Sequence, residues 1–302
     1  AHGKHVLVEK PMAVALADCT AMIEAAQRAG RHLIVGHSHS FDGPILHAHA
    51  LVRSGAFGAV RMLHALYCTD YMYRARRPEE MRTDEGGGVL FSQAAHQIDV
   101  VRLLGGGMVA TVRAQTGNWD PARPTEGAYS ALLTFADGAF ATATYSGYAH
   151  FDGDELMDGI GEMGAPKAAA DYGSARRRLR EVGDSAAEAA LKVARNYGGA
   201  NYTPPPAQVP AHHQHFGHVL VCCERGDLRL TPDGVAIYAD DERRFERVPV
   251  PAVPRAEVID ELWRAVVDRV RLPTPVARHA QTVESLRTAP EAFDIPDRLS
   301  LF

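Results

Sequence analysis

Cysteine is scarce in this sequence: four residues in 302, Cys19, Cys68, Cys222 and Cys223, none of them in a C-x-x-C pair. That argues against a zinc ribbon or a dithiol redox motif, and the adjacent Cys222 and Cys223 would face opposite sides of a strand. Free thiols in a reducing compartment are the expectation. Long apolar runs are also lacking. None approaches the roughly 20 residues of a membrane span, and no signal peptide precedes the first strand, so the sequence predicts a cytoplasmic protein with no membrane partner. Positive charge is not in excess. A formal net charge of -5 gives no general attraction to nucleic acid or to an anionic membrane, and arginine clusters remain as local anion sites. Internal repeats are absent. What remains is an ordinary globular balance, 46% hydrophobic and 23% charged, with chain enough for one large domain or two smaller ones.

The chain opens on Ala1-His2-Gly3-Lys4, which reads as a helix end, and a strand over 5–9 follows at once; a preceding segment is expected. Val6-Leu7-Val8 is a short apolar run of the buried parallel-strand type. Leu16, Cys19, Met22, Ile23 and Ala26 recur at helical spacing with Gly30 as C-cap. Leu33-Ile34-Val35 is a second buried strand, and a helix over 44–54 has Pro44 in its first turn. This βαβα pattern implies a parallel sheet with crossover helices. The character changes near Gly58. A strand is predicted over 60–71, a helix over 87–104 closed by Gly105-Gly106-Gly107, then strands over 109–117, 129–135 and 139–145, with Asp137-Gly138 as a hairpin turn. Residues 167–200 are charged, alanine-rich and partly helical, an insertion or surface arm, and 201–210 form a proline-rich link. Short strands follow, with turns at Pro232-Asp233-Gly234 and Asp240-Asp241. In a last helix, over 254–270, Val258, Ile259, Leu262, Val266 and Val270 share a stripe. The fold class is α/β plus α+β: the C-terminal remnant of an α/β domain over 1–56, then a domain over 57–302 built on a large, mostly antiparallel sheet.

Two places could carry chemistry. Glu9-Lys10-Pro11 ends a buried strand, where ligands of open α/β sheets bind. Desolvation there lowers the pKa of an ammonium from about 10.4 and suits Lys10 to acid–base work; the alternative is an ordinary lysine reaching solvent. In the helix after Gly86-Gly87-Gly88, the polar residues Ser92, His96 and Asp99 fall at i, i+4 and i+7, along one face of an otherwise apolar helix. His96 could relay a proton and Asp99 could orient its ring; the alternative is a satisfied core histidine beside a surface aspartate. Between these motifs, Arg74, Arg76 and Arg77 lie in a loop that should overhang the site, and guanidinium forks suit carboxylates. They could equally form a solvated loop paired with Glu79 and Glu80. His37 and His39 follow the second strand's end and could line the crevice. His212, His213, His215 and His218, with His150, Asp152 and Asp154, match no standard zinc spacing, and no metal is expected. Arg176-Arg177-Arg178 reads as a solvated helix face.

The string Gly3-Lys4-His5-Val6-Leu7-Val8-Glu9-Lys10-Pro11-Met12-Ala13 and the string from Gly86 through Ser92, His96 and Asp99 resemble the two signatures of the Gfo/Idh/MocA oxidoreductase family, in the same order and at a matching distance. The resemblance covers residues 1–165 well and 215–270 more loosely. It implies a Rossmann domain in the first part, NAD or NADP as cofactor, and hydride transfer from a carbinol carbon of a small-molecule substrate. Lys10 would handle the hydroxyl proton and His96 would bind the hydroxyl or share the proton work. Glu9, Lys10, Pro11 and His37 would line the cofactor, and Arg74, Arg76, Arg77, Ser92 and Asp99 the substrate. Homo-oligomers, dimeric or tetrameric, paired through the large sheet are also implied. The segments 71–80, 118–127 and 145–152 resemble the branch that acts on phthalate cis-4,5-dihydrodiol, which implies a place in aromatic catabolism; sugar or inositol-type polyols are the alternative substrates. Three departures stand out. No G-x-G-x-x-G follows a strand, so the unit that would hold a pyrophosphate on a helix N-terminus is not recognisable, and a chain without cofactor binding, serving assembly, is the other reading. Ser92 stands where many relatives carry aspartate. Residues from 274 onward do not resemble the usual closing helix.

Overall fold

The computed structural model describes residues 2–36, 38–106, 108–204, 210–253 and 255–267. His37 and Val270, both named above, lie outside them. The first part folds as its periodicities predict. β1 (Val6–Glu9) pairs in parallel with β2 (Leu33–Gly36), Val8 opposite Val35, and α1 (Leu16–Ala29) makes the crossover between them. Gly30 caps α1 with its N–H turned back to Ala26 and Gln27. Cys19 is buried with Met12, Leu33 and Val35, and Met22, Ile23 and Ala26 pack around them. One expectation fails. Val6-Leu7-Val8 has the composition of a strand buried on both faces, yet Val6 is 44% and Leu7 37% exposed, while all four residues of β2 are buried. The cause is place, not composition. Among the described residues β2 is the only strand beside β1, and a parallel strand is buried only where strands and helices cover it from both sides.

The remainder is one eight-stranded sheet in the order β10-β9-β8-β7-β3-β6-β5-β4. Its strands are β3 (Val60–Cys68), β4 (Val109–Gly117), β5 (Ala128–Phe135), β6 (Phe140–Ser146), β7 (His218–Cys223), β8 (Gly226–Thr231), β9 (Gly234–Ala239) and β10 (Arg243–Arg247). Only β3 and β6 run parallel; the other six pairings are antiparallel. Alternation along the strands sends one set of side chains inward, including Leu63, Ala65 and Tyr67 of β3 and Ala141, Ala143 and Tyr145 of β6. Onto this face pack α2 (Gly43–Arg53) and α3 (Ala95–Gly105). α3 is buried along its whole length, and at its end Gly105 lets the backbone approach Phe135 so closely that a Cβ would lie 2.4 Å from the ring.

Two boundaries differ from the sequence expectation. β3 ends at Cys68, because Thr69 turns the chain: its N–H donates to Ser146, and its hydroxyl accepts from the N–H of Tyr71, which opens a single 3-10 turn. The helix predicted over 87–104 begins instead with a π-helical turn, Leu90–Ala94, and becomes regular only at Ala95. Of the described residues in the stripe predicted for the last helix, α6 (Ala256–Val266), Val258 is buried and Leu262 half-buried, while Ile259 is 57% exposed.

The predicted arm forms two helices, α4 (Ser174–Glu181) and α5 (Ser185–Ala194), the second capped by Asp184 accepting from Ala187 N–H. One buried carboxylate pins it. Glu188, 8% exposed, accepts from Arg123 Nη1 at 2.7 Å and from the backbone N–H of Arg76 at 2.7 Å. Glu188→Ala leaves the Arg123 guanidinium buried without its partner, a loss of about 3–5 kcal/mol for such a pair. The expected result is trypsin cleavage within the arm at least ~10-fold faster than in wild type, with the sheet domain resistant. An unchanged rate would assign the docking to apolar contacts instead.

Candidate active site

The Lys10 side chain leaves the end of β1, just before a cis Lys10–Pro11 peptide bond, and reaches the larger domain. Its Nζ donates to the backbone carbonyl of Ser92, in the π-helical turn. The glycine before that turn lets it pack closely on Glu126: a Cβ on Gly88, at φ +76°, would lie 2.2 Å from the Glu126 carboxylate. π-Helical turns are rare and cluster at functional sites. The Ser92 hydroxyl does not face the lysine; it donates back to the Gly88 carbonyl. Burial is the main influence on Lys10, and it lowers the ammonium pKa to about 8. The charges of Glu162 and Glu9 oppose that shift, and those of Arg255 and Arg76 add to it.

One helical turn beyond Ser92, His96 is buried at 7% exposure. Its ring stands edge-on to His39, centroids 4.8 Å apart, and 5.1 Å from Phe216. His39 comes from a buried 3-10 turn, Ser38–Phe41, and is clamped between two carboxylates: Nδ1 lies 2.8 Å from Asp42 Oδ2 and Nε2 3.5 Å from Glu162 Oε1. Burial works against a charge on this ring, but Asp42 and Glu162 outweigh it and raise its pKa to about 9. Glu162 is held ionised, down to about 2: burial would raise it, and His39, Arg74 and His215 lower it by more.

The other residues singled out in the sequence divide. Asp99 stands behind the site. Its Oδ2 accepts from Ser40 Oγ and its Oδ1 from Arg102 Nη2, at 3.0 Å, so it ties the turn carrying His39 to the helix carrying His96. Arg74 reaches the cluster: Nε lies 3.4 Å from Asp70 and Nη1 3.9 Å from Glu162. Arg76 is packed away with its guanidinium over the Tyr71 ring at 3.5 Å, donating to the Tyr71 carbonyl. Arg77 pairs with Glu79 at 3.2 Å and Glu80 at 3.6 Å. The solvated-loop alternative therefore describes Arg77, and Arg76 serves packing. Glu9 is exposed at the end of β1 and Pro11 is half-buried beside it.

An open cleft of about 1010 Å³ adjoins Arg74, walled by Asp70 and Tyr73 on one side and by Lys167, Arg176 and Arg178 of the arm on the other. Arg176 donates to the Tyr148 carbonyl and stacks on Tyr73. The histidine-rich segment is structural. His213 and His215 bond the carbonyls of Val248 and Ile160, and His212 pairs with Asp233. Among the described residues no three metal-ligating side chains gather.

Sequence reasoning missed Glu162. It lies inside Gly159-Ile160-Gly161-Glu162-Met163-Gly164, which has G-x-G-x-x-G spacing but follows a 3-10 turn, Gly153–Met157, instead of a strand. The N–H groups of Gly159, Ile160, Gly161 and Gly164 all donate to backbone carbonyls, so this is a tight turn and not a phosphate cradle. No pattern in the sequence marks the glutamate at its tip.

Two models of the GFO/IDH/MocA family match: the oxidoreductase family, NAD-binding Rossmann fold, over residues 1–37, and the C-terminal domain over residues 45–165. A 1-carboxy-3-chloro-3,4-dihydroxycyclohexa-1,5-diene dehydrogenase of Comamonas testosteroni is 48% identical over 264 residues, covering 87% of this chain and 66% of its own length. An inositol 2-dehydrogenase of Saccharopolyspora erythraea is 32% identical over 38% of this chain and 32% of its own. A crystal structure from Bordetella bronchiseptica RB50 superposes with a TM-score of 0.85 at 38% identity, over 96% of this chain and 76% of that one. The chain thus spans less than two thirds of the length of these two curated relatives.

Two substitutions test the assignments of Ser92 and Asp99. Ser92→Ala removes a hydroxyl that Lys10 does not use, so stability should change by only about 1 kcal/mol and the alkaline reactivity of Lys10 should be retained. Asp99→Ala leaves the buried Arg102 without its carboxylate and should cost about 3–5 kcal/mol, read by urea melts. The reverse ranking would refute both assignments.

Proposed function

The chain belongs to the GFO/IDH/MocA oxidoreductase family, and from that premise we propose that it carries the proton-transfer and substrate-binding part of an NAD(P)-dependent dehydrogenase acting on a carboxylated cyclohexadiene cis-diol, such as the 4,5-dihydrodiol of phthalate. The observation that carries this reading is a lysine brought to a pKa of about 8 on the carbonyl of Ser92, one helical turn from His96. The relative from Comamonas testosteroni, whose name specifies a carboxylated ring diol, supports the substrate class, as does the cation of Arg74, which lines the cleft and faces Glu162.

The donor set fits one end of the cofactor. Glu9 and Lys10 offer a carboxylate and an ammonium at the ends of parallel strands, where nucleotides bind in open α/β sheets. Nothing among the described residues forms a pyrophosphate cradle, and the Gly159–Gly164 turn has already spent its N–H groups. When bound, NAD(P) accepts the hydride of the carbinol carbon. Lys10 takes the hydroxyl proton in its neutral form, which predominates above about pH 8. His96 hydrogen-bonds the diol. Arg74 pairs with a ring carboxylate and so holds the reacting carbon in place. The resulting ketone enolises to a catechol, and aromatisation drives the step forward.

The same reading includes self-association through the outer face of the sheet, where Leu132, Phe140 and Phe245 are 42%, 41% and 47% exposed. Phe140→Glu is expected to lower the mass seen in sedimentation without unfolding the chain.

The test is turnover of the phthalate dihydrodiol at millimolar NAD, followed by the absorbance of the reduced nicotinamide. Oxidation should climb with pH through about 8, as Lys10 loses its proton. Lys10→Ala should lower kcat by about 10²–10⁴. Arg74→Ala should raise KM about tenfold with a smaller effect on kcat. Oxidation of inositol with none of the ring diol would move the chain to the polyol branch.

A further inference from the structure

The cleft beside Arg74 adjoins the reacting centre without containing it. Arg74 lines the cleft, and Lys10, Ser92 and His96 do not; the Arg74 guanidinium also faces Glu162 at 3.9 Å. A volume of about 1010 Å³ stands at the upper end of small-molecule sites. The far wall belongs to the arm, and it is fixed. Glu188 pins α5 from within, with Arg123 Nη1 and the Arg76 N–H both at 2.7 Å. Arg176 donates to the Tyr148 carbonyl at 2.7 Å and stacks on the Tyr73 ring at 4.0 Å. Lys192 lies 3.7 Å from Glu80. On this wall Ala175, Arg178, Leu179 and Val182 line the cleft. They fall at i, i+3, i+4 and i+7, one face of α4 and its C-cap. The face is mixed: Leu179 and Val182 are half-buried, and Arg178 is exposed. Phe151 and Tyr172 line the same cleft and are 47% and 60% exposed.

The charges in the cleft divide into paired and free. Arg74 is paired with Asp70 at 3.4 Å, and Lys167 with Asp152 at 2.7 Å and Asp154 at 2.6 Å. Arg178 also lines the cleft with Arg195, the C-cap of α5, and among the described residues the side chains of these two make no ion pair and no hydrogen bond. The unpaired acids of the cleft, Glu155 and Asp171, are exposed, and neither reaches an arginine. A guanidinium with no partner inside the protein gives up no existing bond when it takes a carboxylate. A ring laid against Leu179, Tyr172 and Phe151 removes apolar surface from water. Both properties meet in one class of ligand, a ring that carries a carboxylate.

We propose that the cleft is a capture site for ring carboxylates: Arg178 and Arg195 take the carboxylate, the aromatic and apolar wall takes the ring, and Arg74 stands between this site and the reacting centre. The role in capture rests on the dehydrogenase reading above; the binding itself does not. Arg178 and Arg195 are specificity residues, which touch the substrate before it reaches Lys10. Positive charge at an entrance speeds the encounter with an anion, so the site acts on kcat/KM and leaves kcat alone. A neutral polyol gains nothing from it.

The experiment is calorimetric titration of phthalate into the 302-residue chain without cofactor. Binding is expected in wild type and, unchanged, in Lys10→Ala. Arg178→Gln and Arg195→Gln should each weaken it about tenfold, the loss of one charge-assisted hydrogen bond. Arg180→Gln, on the same helix but outside the cleft, should leave it as it is. Raising the ionic strength from about 0.05 to 0.5 M should weaken it as well. Benzamide has the ring without the charge and inorganic phosphate the charge without the ring; each should bind at least about tenfold more weakly than phthalate. In turnover of the ring diol at millimolar NAD, the double arginine variant should lower kcat/KM about tenfold or more with kcat unchanged. Binding that Lys10→Ala abolishes, or that both arginine variants leave intact, overturns the proposal by placing the ligand elsewhere. So does an absence of binding, or phosphate bound as tightly as phthalate. If an arginine variant melts early, protection of wild-type Arg178 and Arg195 from phenylglyoxal by phthalate decides: protection supports the site, and unchanged modification overturns it. Phthalate bound through both arginines with no oxidation of the ring diol keeps the site and removes the proposed substrate. Oxidation of the diol that ignores both arginines keeps the dehydrogenase reading and removes the site.

Discussion

The donation from Lys10 to the Ser92 carbonyl is the contact on which the site depends, because it joins two parts of the chain that share no sheet. Lys10 ends a strand of the two-stranded unit, and Ser92 lies in the π-helical turn that leads into α3. The nature of the acceptor matters as much as its place. A full carboxylate at hydrogen-bond distance shifts a neighbouring pKa by about 1–3 units towards the charged form, and would turn a buried lysine into a fixed ammonium. A neutral carbonyl orients Nζ with a weaker preference for the ion. Burial then prevails and brings the group to about 8, where it exchanges a proton near neutral pH. Glu162 supplies a remoter and divided charge, which tempers the shift without cancelling it.

The histidine pair follows from the same constraint. Burial disfavours a charge on His39, and Asp42 and Glu162 outweigh that burial and hold the proton on its ring. Asp99 then fixes the geometry between His39 and His96: one oxygen takes Ser40 from the turn of His39, and the other takes Arg102 from the helix of His96. Buried ion pairs such as Asp99–Arg102 add little net stability compared with apolar packing, but removing one partner is costly. Their effect here is to make the spacing of the two rings a rigid property of the fold.

How much of this was legible in the sequence depended on whether the deciding physics was local. The placement of Lys10 at a strand end and of His96 on a buried helix could be read because both elements announce themselves by period, and the large antiparallel sheet because its turns and alternation do. The exposure of Val6 and Leu7 could not be read, since a central and an edge strand share the same composition and differ only in their neighbours. Arg74, Arg76 and Arg77 look equivalent in sequence, yet an aromatic ring takes one, two glutamates of the same loop take another, and only Arg74 faces Glu162. Glu162 carried no signal at all. It sits in a glycine-flanked turn whose spacing imitates a phosphate loop, and its importance comes from a contact with His39 across more than a hundred residues.

This contrast also separates the two tasks of the site. In the proposed function, proton handling rests on the end of β1, on the π-helical turn and on α3, the last buried along its whole length, and a constellation held to fractions of an ångström needs such support. Recognition of the substrate would, in the same proposal, rest on the loop after β3 and on the arm. The arm's docking depends on Glu188, and its cationic side chains already contact Tyr148, Asp152 and Glu80. Loops and insertions of this kind vary more readily than the scaffold beneath them. A change of substrate within the family would therefore come from rewriting the wall around Arg74, where Arg74 and Lys167 are paired with side chains, Asp70, Glu162 and Asp152, that can themselves be exchanged. The lysine has no such freedom, because its partner is a backbone carbonyl and no substitution of Ser92 removes it.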